Sequence, residues 1–180
     1  MNMIKSGQAI VIATTPDTYE WLNNLLQSLR GYKNYPIVIL SDFSFELGKI
    51  RHMFYHTNYR EFFLLQDSCE VLDTDIFDIV FNMYSGRNVF FAKKGYMYLN
   101  KYTAQGLEIT RPPLVRTKAE AIEFENSWHK EYAKATSVHT LFPNFNKSNT
   151  FKEMFGRTNM VIENQYIRKY KGTWDRKQLS

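Results

Sequence analysis

Three apolar stretches of this sequence run straight into hydroxyl and acid side chains. Ala9-Ile10-Val11-Ile12-Ala13 is followed by Thr14, Thr15 and Asp17, Pro36 to Leu40 by Ser41 and Asp42, and Phe62-Phe63-Leu64-Leu65 by Gln66, Asp67 and Ser68. In an open α/β sheet, ligands sit beyond the carboxyl ends of the strands. Turns favour Asp and Ser in their own right, so any one of these clusters is ordinary turn chemistry. Three on consecutive strands point to a site. The third is the sharpest, because a carboxylate at Asp67 can ligate a divalent cation, and such a cation neutralises a diphosphate leaving group.

These residues need elements to hold them, and the order of the chain supplies an alternation of strands and helices. The runs at 9–13, 36–40, 62–65 and Val89-Phe90-Phe91-Ala92 read as buried strands. After the first, Thr15 is the expected N-cap and Pro16 the first helical residue, with Leu22, Leu25, Leu26 and Leu29 at helical spacing and Gly31 as a stop. A second helix is expected over Phe45–His56. A third, capped by Thr74, would carry Ile76, Phe77, Val80, Met83 and Tyr84 on one face. Strands joined by helical crossovers favour a mainly parallel sheet with right-handed connections. From Tyr96 to Ile109 a loop or short antiparallel strand is expected. Thr117 and Glu120 form a capping-box pair for a helix to about Lys134, burying Ala121, Phe124, Trp128 and Tyr132. After Pro143 the chain reads as irregular until a final strand at Met160-Val161-Ile162.

From Ala9 to Lys93 this order of elements, with Asp67 at a strand end, resembles the GT-A glycosyltransferases, whose third or fourth strand ends in an Asp-x-Asp-type motif. The resemblance implies a single Rossmann-like (GT-A-like) α/β domain over 1–180, its mainly parallel central sheet flanked by helices. Residues 1–95 would bind the nucleotide, 96–172 would bind the acceptor and close the site, and 173–180 would form a loose tail. Thr14 and Thr15 would line the base and ribose of a donor such as a UDP-sugar, and Asp42 would contact the uracil or ribose. Gln66 would lie beside the donor. Asp67 would be the motif acid, holding Mn²⁺ or Mg²⁺ together with the donor phosphates and water. Cys69 replaces the second motif acid; a hard cation does not choose a thiol, and a small buried residue is the simpler reading.

In that family a further metal ligand comes from the C-terminal part, where His139 is the candidate. Arg157, Lys169 and Lys171 are similar in place to the segment that closes over the diphosphate, offsetting charge on the leaving group. An inverting member needs a carboxylate to take the acceptor proton. Glu120, Glu123 and Glu125 fall in the matching helix, and with Glu120 engaged in the cap, Glu123 is named as the base. A retaining member needs none, and both courses stay open.

The formal charge of +5 and pI of about 9.2 fit an anionic partner, whether a diphosphate or a nucleic acid. A DNA acceptor, of the kind phage DNA-modifying glycosyltransferases use, would meet Lys93, Lys94, Lys101, Arg111 and Arg116. A saccharide would stack on Tyr96, Tyr98, Tyr102 and Trp128. The rival reading is a non-catalytic nucleotide- or nucleic-acid-binding module on the same scaffold. Phosphate-loop, Gly-x-Gly-x-x-Gly, Gly-x-Ser-x-Gly and His-Glu-x-x-His patterns are all absent from the sequence, which removes the commonest nucleotidase, dinucleotide, serine-hydrolase and zinc-peptidase chemistries. With one cysteine, no long apolar run and no apolar leader, the expected setting is the cytoplasm.

Overall fold

The computed structural model describes residues 7–95, 98–145 and 150–172. Tyr96 and the expected tail at 173–180 lie outside them. The first half alternates as the sequence implies: β1 (Gln8–Thr14), α1 (Tyr19–Ser28), β2 (Ile37–Ser41), α2 (Phe45–His56), β3 (Glu61–Gln66) and a short β4 (Cys69–Val71). One turn of helix, α3 (Asp75–Asp78), widens into a π-helical turn over Ile79–Met83 before β5 (Val89–Phe90). Then come β6 (Asn100–Thr103), α4 (Ala104–Ile109), α5 (Lys118–Thr136) and β7 (His139–Thr140). Three strands end the described chain: β8 (Thr150–Met154), β9 (Arg157–Glu163) and β10 (Ile167–Gly172).

The central sheet runs β2-β1-β3-β6-β5-β7. It is mostly parallel, and β6 alone runs against its neighbours β3 and β5. Period-two alternation sends the strand side chains into two cores. Ile10, Ile12, Phe63 and Leu65 face α1, α3 and the π-helical turn, whereas Val11, Ala13, Phe62 and Leu64 face α2, α4 and α5. The sheet is thus flanked by helices on both faces. Among the described residues no helix is long and apolar enough to cross a membrane.

Four local expectations are corrected. Helix α1 starts at Tyr19 with Thr18 at its cap, because the Thr18 amide closes a turn onto the Thr15 carbonyl (3.1 Å) and frees the Thr18 hydroxyl for Asp67. In the third helix the wide π-helical turn rotates the buried face onto Val80 and Phe81, leaving Met83 exposed. The stretch from Tyr96 to Ile109 contains a helix, α4, whose cap is the Thr103 hydroxyl accepting from the Gly106 amide. The segment after Pro143 builds a second, antiparallel sheet in the order β4-β10-β9-β8. Its outer strand β8 is almost wholly exposed, so it carries no apolar alternation.

Candidate functional site

Strand β1 lies between β2 and β3, and all three are parallel. The chain passes from β1 outward to β2 and then back across β1 to β3, so α1 and α2 leave to opposite faces. The carboxyl ends of β1 and β3 lie side by side where the strand order reverses, which is where ligands bind in such sheets. Thr14, Thr15, Thr18, Gln66 and Asp67 all belong to that edge.

Asp67 is the centre of the group. Its amide extends the ladder to the Ala13 carbonyl (3.0 Å). The Thr14 and Thr18 hydroxyls donate to its Oδ2 at 2.8 and 2.5 Å. Burial pushes the carboxyl above the usual carboxylate range, an effect opposed by the Thr18 and Thr14 hydrogen bonds and by the charge of Lys169, while Glu46 adds to it. Thr15, by contrast, turns to Asp17 (2.5 Å).

Lys169 reaches the same place from the other end of the chain. Strand β10 pairs antiparallel with β4, setting Lys169 opposite Cys69, and the Tyr170 amide donates to the Ser68 carbonyl (2.9 Å). The buried Lys169 ammonium donates to Gln66 Oε1, and Gln66 Nε2 donates to Glu46 Oε1 at 2.7 Å. Lysine, amide and carboxylate therefore form a hydrogen-bonded chain from β10 to α2 beside Asp67.

Glu125 is the residue that the sequence reading passed over. It stands half-buried on α5, hydrogen-bonded with Tyr98, a buried tyrosine in the left-handed region (φ 50°). Burial and the negative charge of Glu46 raise its carboxyl to about 7, against the Tyr98 hydrogen bond. Below it, the His129 ring bridges the Glu125 carbonyl and the Tyr102 hydroxyl (2.8 Å for the latter). The signal was present in the spacing: Glu125 falls between Ala121 and Trp128 on the stripe that α5 buries, the one acid among apolar positions. Glu123 lies roughly 200° around the helix from it and is exposed.

Other named residues are not brought to Asp67. His139 opens β7, level with Val89, Lys101 and Phe63. That row is three strands and four residues from Asp67, roughly 20 Å by strand geometry; His139 instead stacks on Tyr84 (4.5 Å). Asp42 lies one strand away at the end of β2, engaged by Ser44 (2.8 and 2.5 Å) and by Lys49 (3.3 Å). Burial raises its pKa, but the Ser44 bonds and Lys49 outweigh this and hold it low. Lys171 sits on β10 two residues beyond Lys169. Arg157 is at the β8–β9 turn, whose Phe155 ring packs edge-on against Trp21 (4.9 Å). Among the expected acceptor contacts, Lys101 is wholly buried against Glu61 (3.5 Å), Arg111 pairs with Glu108, and Tyr98, Tyr102 and Trp128 are core residues.

The donor set for a cation is narrow. Among the described residues no group of three or more His, Cys, Asp or Glu side chains converges. Cys69 is fully buried, and burial pushes its thiol up. Asp67 Oδ2 accepts from two hydroxyls, which leaves Oδ1 as the candidate metal donor of this carboxylate. A Mg²⁺ or Mn²⁺ ion fits here only as one carried by a diphosphate, which would complete its shell with phosphate oxygens and water.

Neither a protein-family model nor a curated protein matches this chain. Among solved structures it is similar to A197 from STIV, with a TM-score of 0.57 and 11% sequence identity, over 92% of this chain and 94% of that one. A likeness at that identity is one of fold.

Proposed function

We propose that this protein is a GT-A-type glycosyltransferase that binds a nucleotide-diphosphate sugar across the β1–β3 crevice. The observation that carries the reading is the carboxylate of Asp67, fixed by Thr14 and Thr18 at the point where the strand order reverses, with the Lys169 ammonium beside it. An anionic diphosphate complements the lysine and the open end of the crevice. A divalent ion accompanying the donor would spread the charge of the departing diphosphate. Asp67 Oδ1 anchors that complex, Thr15 and the end of β1 border the nucleoside, and Lys169 lies where leaving-group charge grows.

Glu125 fits the base. A carboxyl poised near 7 is matched to taking a hydroxyl proton at neutral pH. In the transfer, the acceptor oxygen forms a bond to the anomeric carbon while the bond from that carbon to the diphosphate breaks. The bonding pair leaves with the diphosphate, and the acceptor proton passes to Glu125. One displacement with one base gives inversion.

The test is thermal stabilisation by UDP, GDP, CDP and their sugars, with and without Mn²⁺, in the parent and in Asp67→Ala. A ligand present at about 100 times its Kd adds about 2.7 kcal/mol. The expected result is a metal-dependent rise with one nucleotide, lost in Asp67→Ala while the unliganded melting temperature is kept. Equal stabilisation of the variant would overturn the role of Asp67. Stabilisation without sugar transfer or donor hydrolysis would make the chain a nucleotide-binding module.

A further inference from the structure

The loop that follows β5 and the outer flank of α5 enclose a cavity of about 350 Å³, within the range of small-ligand sites. Phe90 and Ala133 give it an apolar floor, and Lys93, Lys94, Lys130 and Asn126 stand around it. Among the described residues no aspartate or glutamate lines it, and neither Lys93 nor Lys130 pairs with an acid. Cations gathered around a concave surface focus a positive potential into it.

The back wall packs against the core of α5. Gly95 and His129 form it, packed so closely that a Cβ on Gly95 would come within 2.5 Å of the His129 ring. The Tyr98 amide donates to the Gly95 carbonyl (3.0 Å), and the same His129 ring bonds the Glu125 carbonyl. Asn126, His129, Lys130 and Ala133 are one stripe of α5, and Glu125 lies on the adjoining stripe. The Gly95–His129 wall thus stands between the lysines and the Glu125 carboxylate.

We propose that this cavity is an anion subsite that receives a phosphate group of the acceptor. The acceptor role rests on the transferase reading; phosphate binding itself does not. The test follows backbone amide signals by NMR at low salt while inorganic phosphate, and separately a short oligothymidylate, are added to the parent and to a Lys93→Ala/Lys130→Ala double variant. Both lysines are exposed, so the variant keeps its fold.

The expected result is perturbation centred on Lys93, Lys94, Asn126 and Lys130, weakened about tenfold in the double variant, with a salt slope for the oligonucleotide smaller by about 1. Tighter binding of the oligonucleotide would make the group a phosphodiester, and equal binding a phosphate monoester; each supports the subsite. Perturbation elsewhere, none at all, or binding undiminished in the double variant overturns it. Stabilisation by UDP, GDP and CDP is measured on the same samples: phosphate binding with none of them defeats the transferase reading and leaves the subsite, and the converse defeats the subsite alone.

Discussion

At the scale of the residue, the position of Glu125 makes a claim that its charge alone would not. An acid on the stripe that α5 turns inward is desolvated, and Glu46 on α2, which packs on the same face of the sheet, adds repulsion, so its proton is held to about 7. If Glu125 is the base, turnover at saturating donor rises with pH through about 7 and levels above it. In Glu125→Gln the rate falls by 10²- to 10⁴-fold, as loss of general-base catalysis does, and the rise disappears; a variant with the parent profile removes the assignment. Asp67, Thr14 and Gln66 were legible as strand-end polar residues because buried strands announce where they stop. Glu123 was named over Glu125 because the helix was read for its apolar positions and not for the acid among them. The distance of His139 from Asp67 depends on which strand β7 joins. Two residues, His139 and Thr140, carry no pattern that fixes this.

At the scale of the element, helices α4 and α5 meet over Gly106. A Cβ there would lie 2.6 Å from the Tyr132 hydroxyl and 2.8 Å from Asn88 Oδ1. Neither atom is free to move: Asn88 Oδ1 accepts from the Thr103 amide (3.0 Å), the Thr103 hydroxyl (2.9 Å) and Tyr132. Gly106→Ala improves helix propensity by about 1 kcal/mol. We expect overpacking, which costs roughly 1–3 kcal/mol, to outweigh that gain and leave a net loss of about 1–2 kcal/mol. The melting temperature should drop by about 2–8 °C, while Gln105→Ala, at an exposed neighbour, leaves it unchanged; a stabilised Gly106→Ala would refute the contact. The helices with strong caps or stripes were readable, α2 over the same span and α5 by its capping box. Sheet β4-β10-β9-β8 was not, because a three-residue strand pairs with a partner about a hundred residues away and the outer strand is bathed in water.

At the scale of the whole molecule, two buried titrating groups act on stability in opposite senses. Burial lowers His129 from 6.5 to about 4, partly opposed by its bond to the Glu125 carbonyl. The unfolded chain therefore takes up that proton first, and stability present above about 6.5 is lost as pH falls through 4. By pH 4.5 the loss is about 2–3 kcal/mol. Glu125, raised in the fold, contributes stability at low pH that is lost as pH rises through 7. The two windows overlap, so acidification should leave the parent flatter than Glu125→Gln, which keeps only the histidine's loss. Denaturant midpoints between pH 7 and 4.5 check this; a variant less acid-sensitive than the parent reverses the sign and sinks the argument.

The pairing of β10 with β4 has a consequence for how the protein comes into being. Gln66 and the lysine that reaches it are 103 residues apart. At about 5–20 residues per second, a nascent chain exposes Asp67 roughly 5–20 s before Lys169 has been made. Throughout that interval the three residues of β4 form an unpaired edge, and the crevice lacks its cation. On the proposed reading, the site cannot hold its diphosphate until β10, the last described strand, brings Lys169 to Gln66.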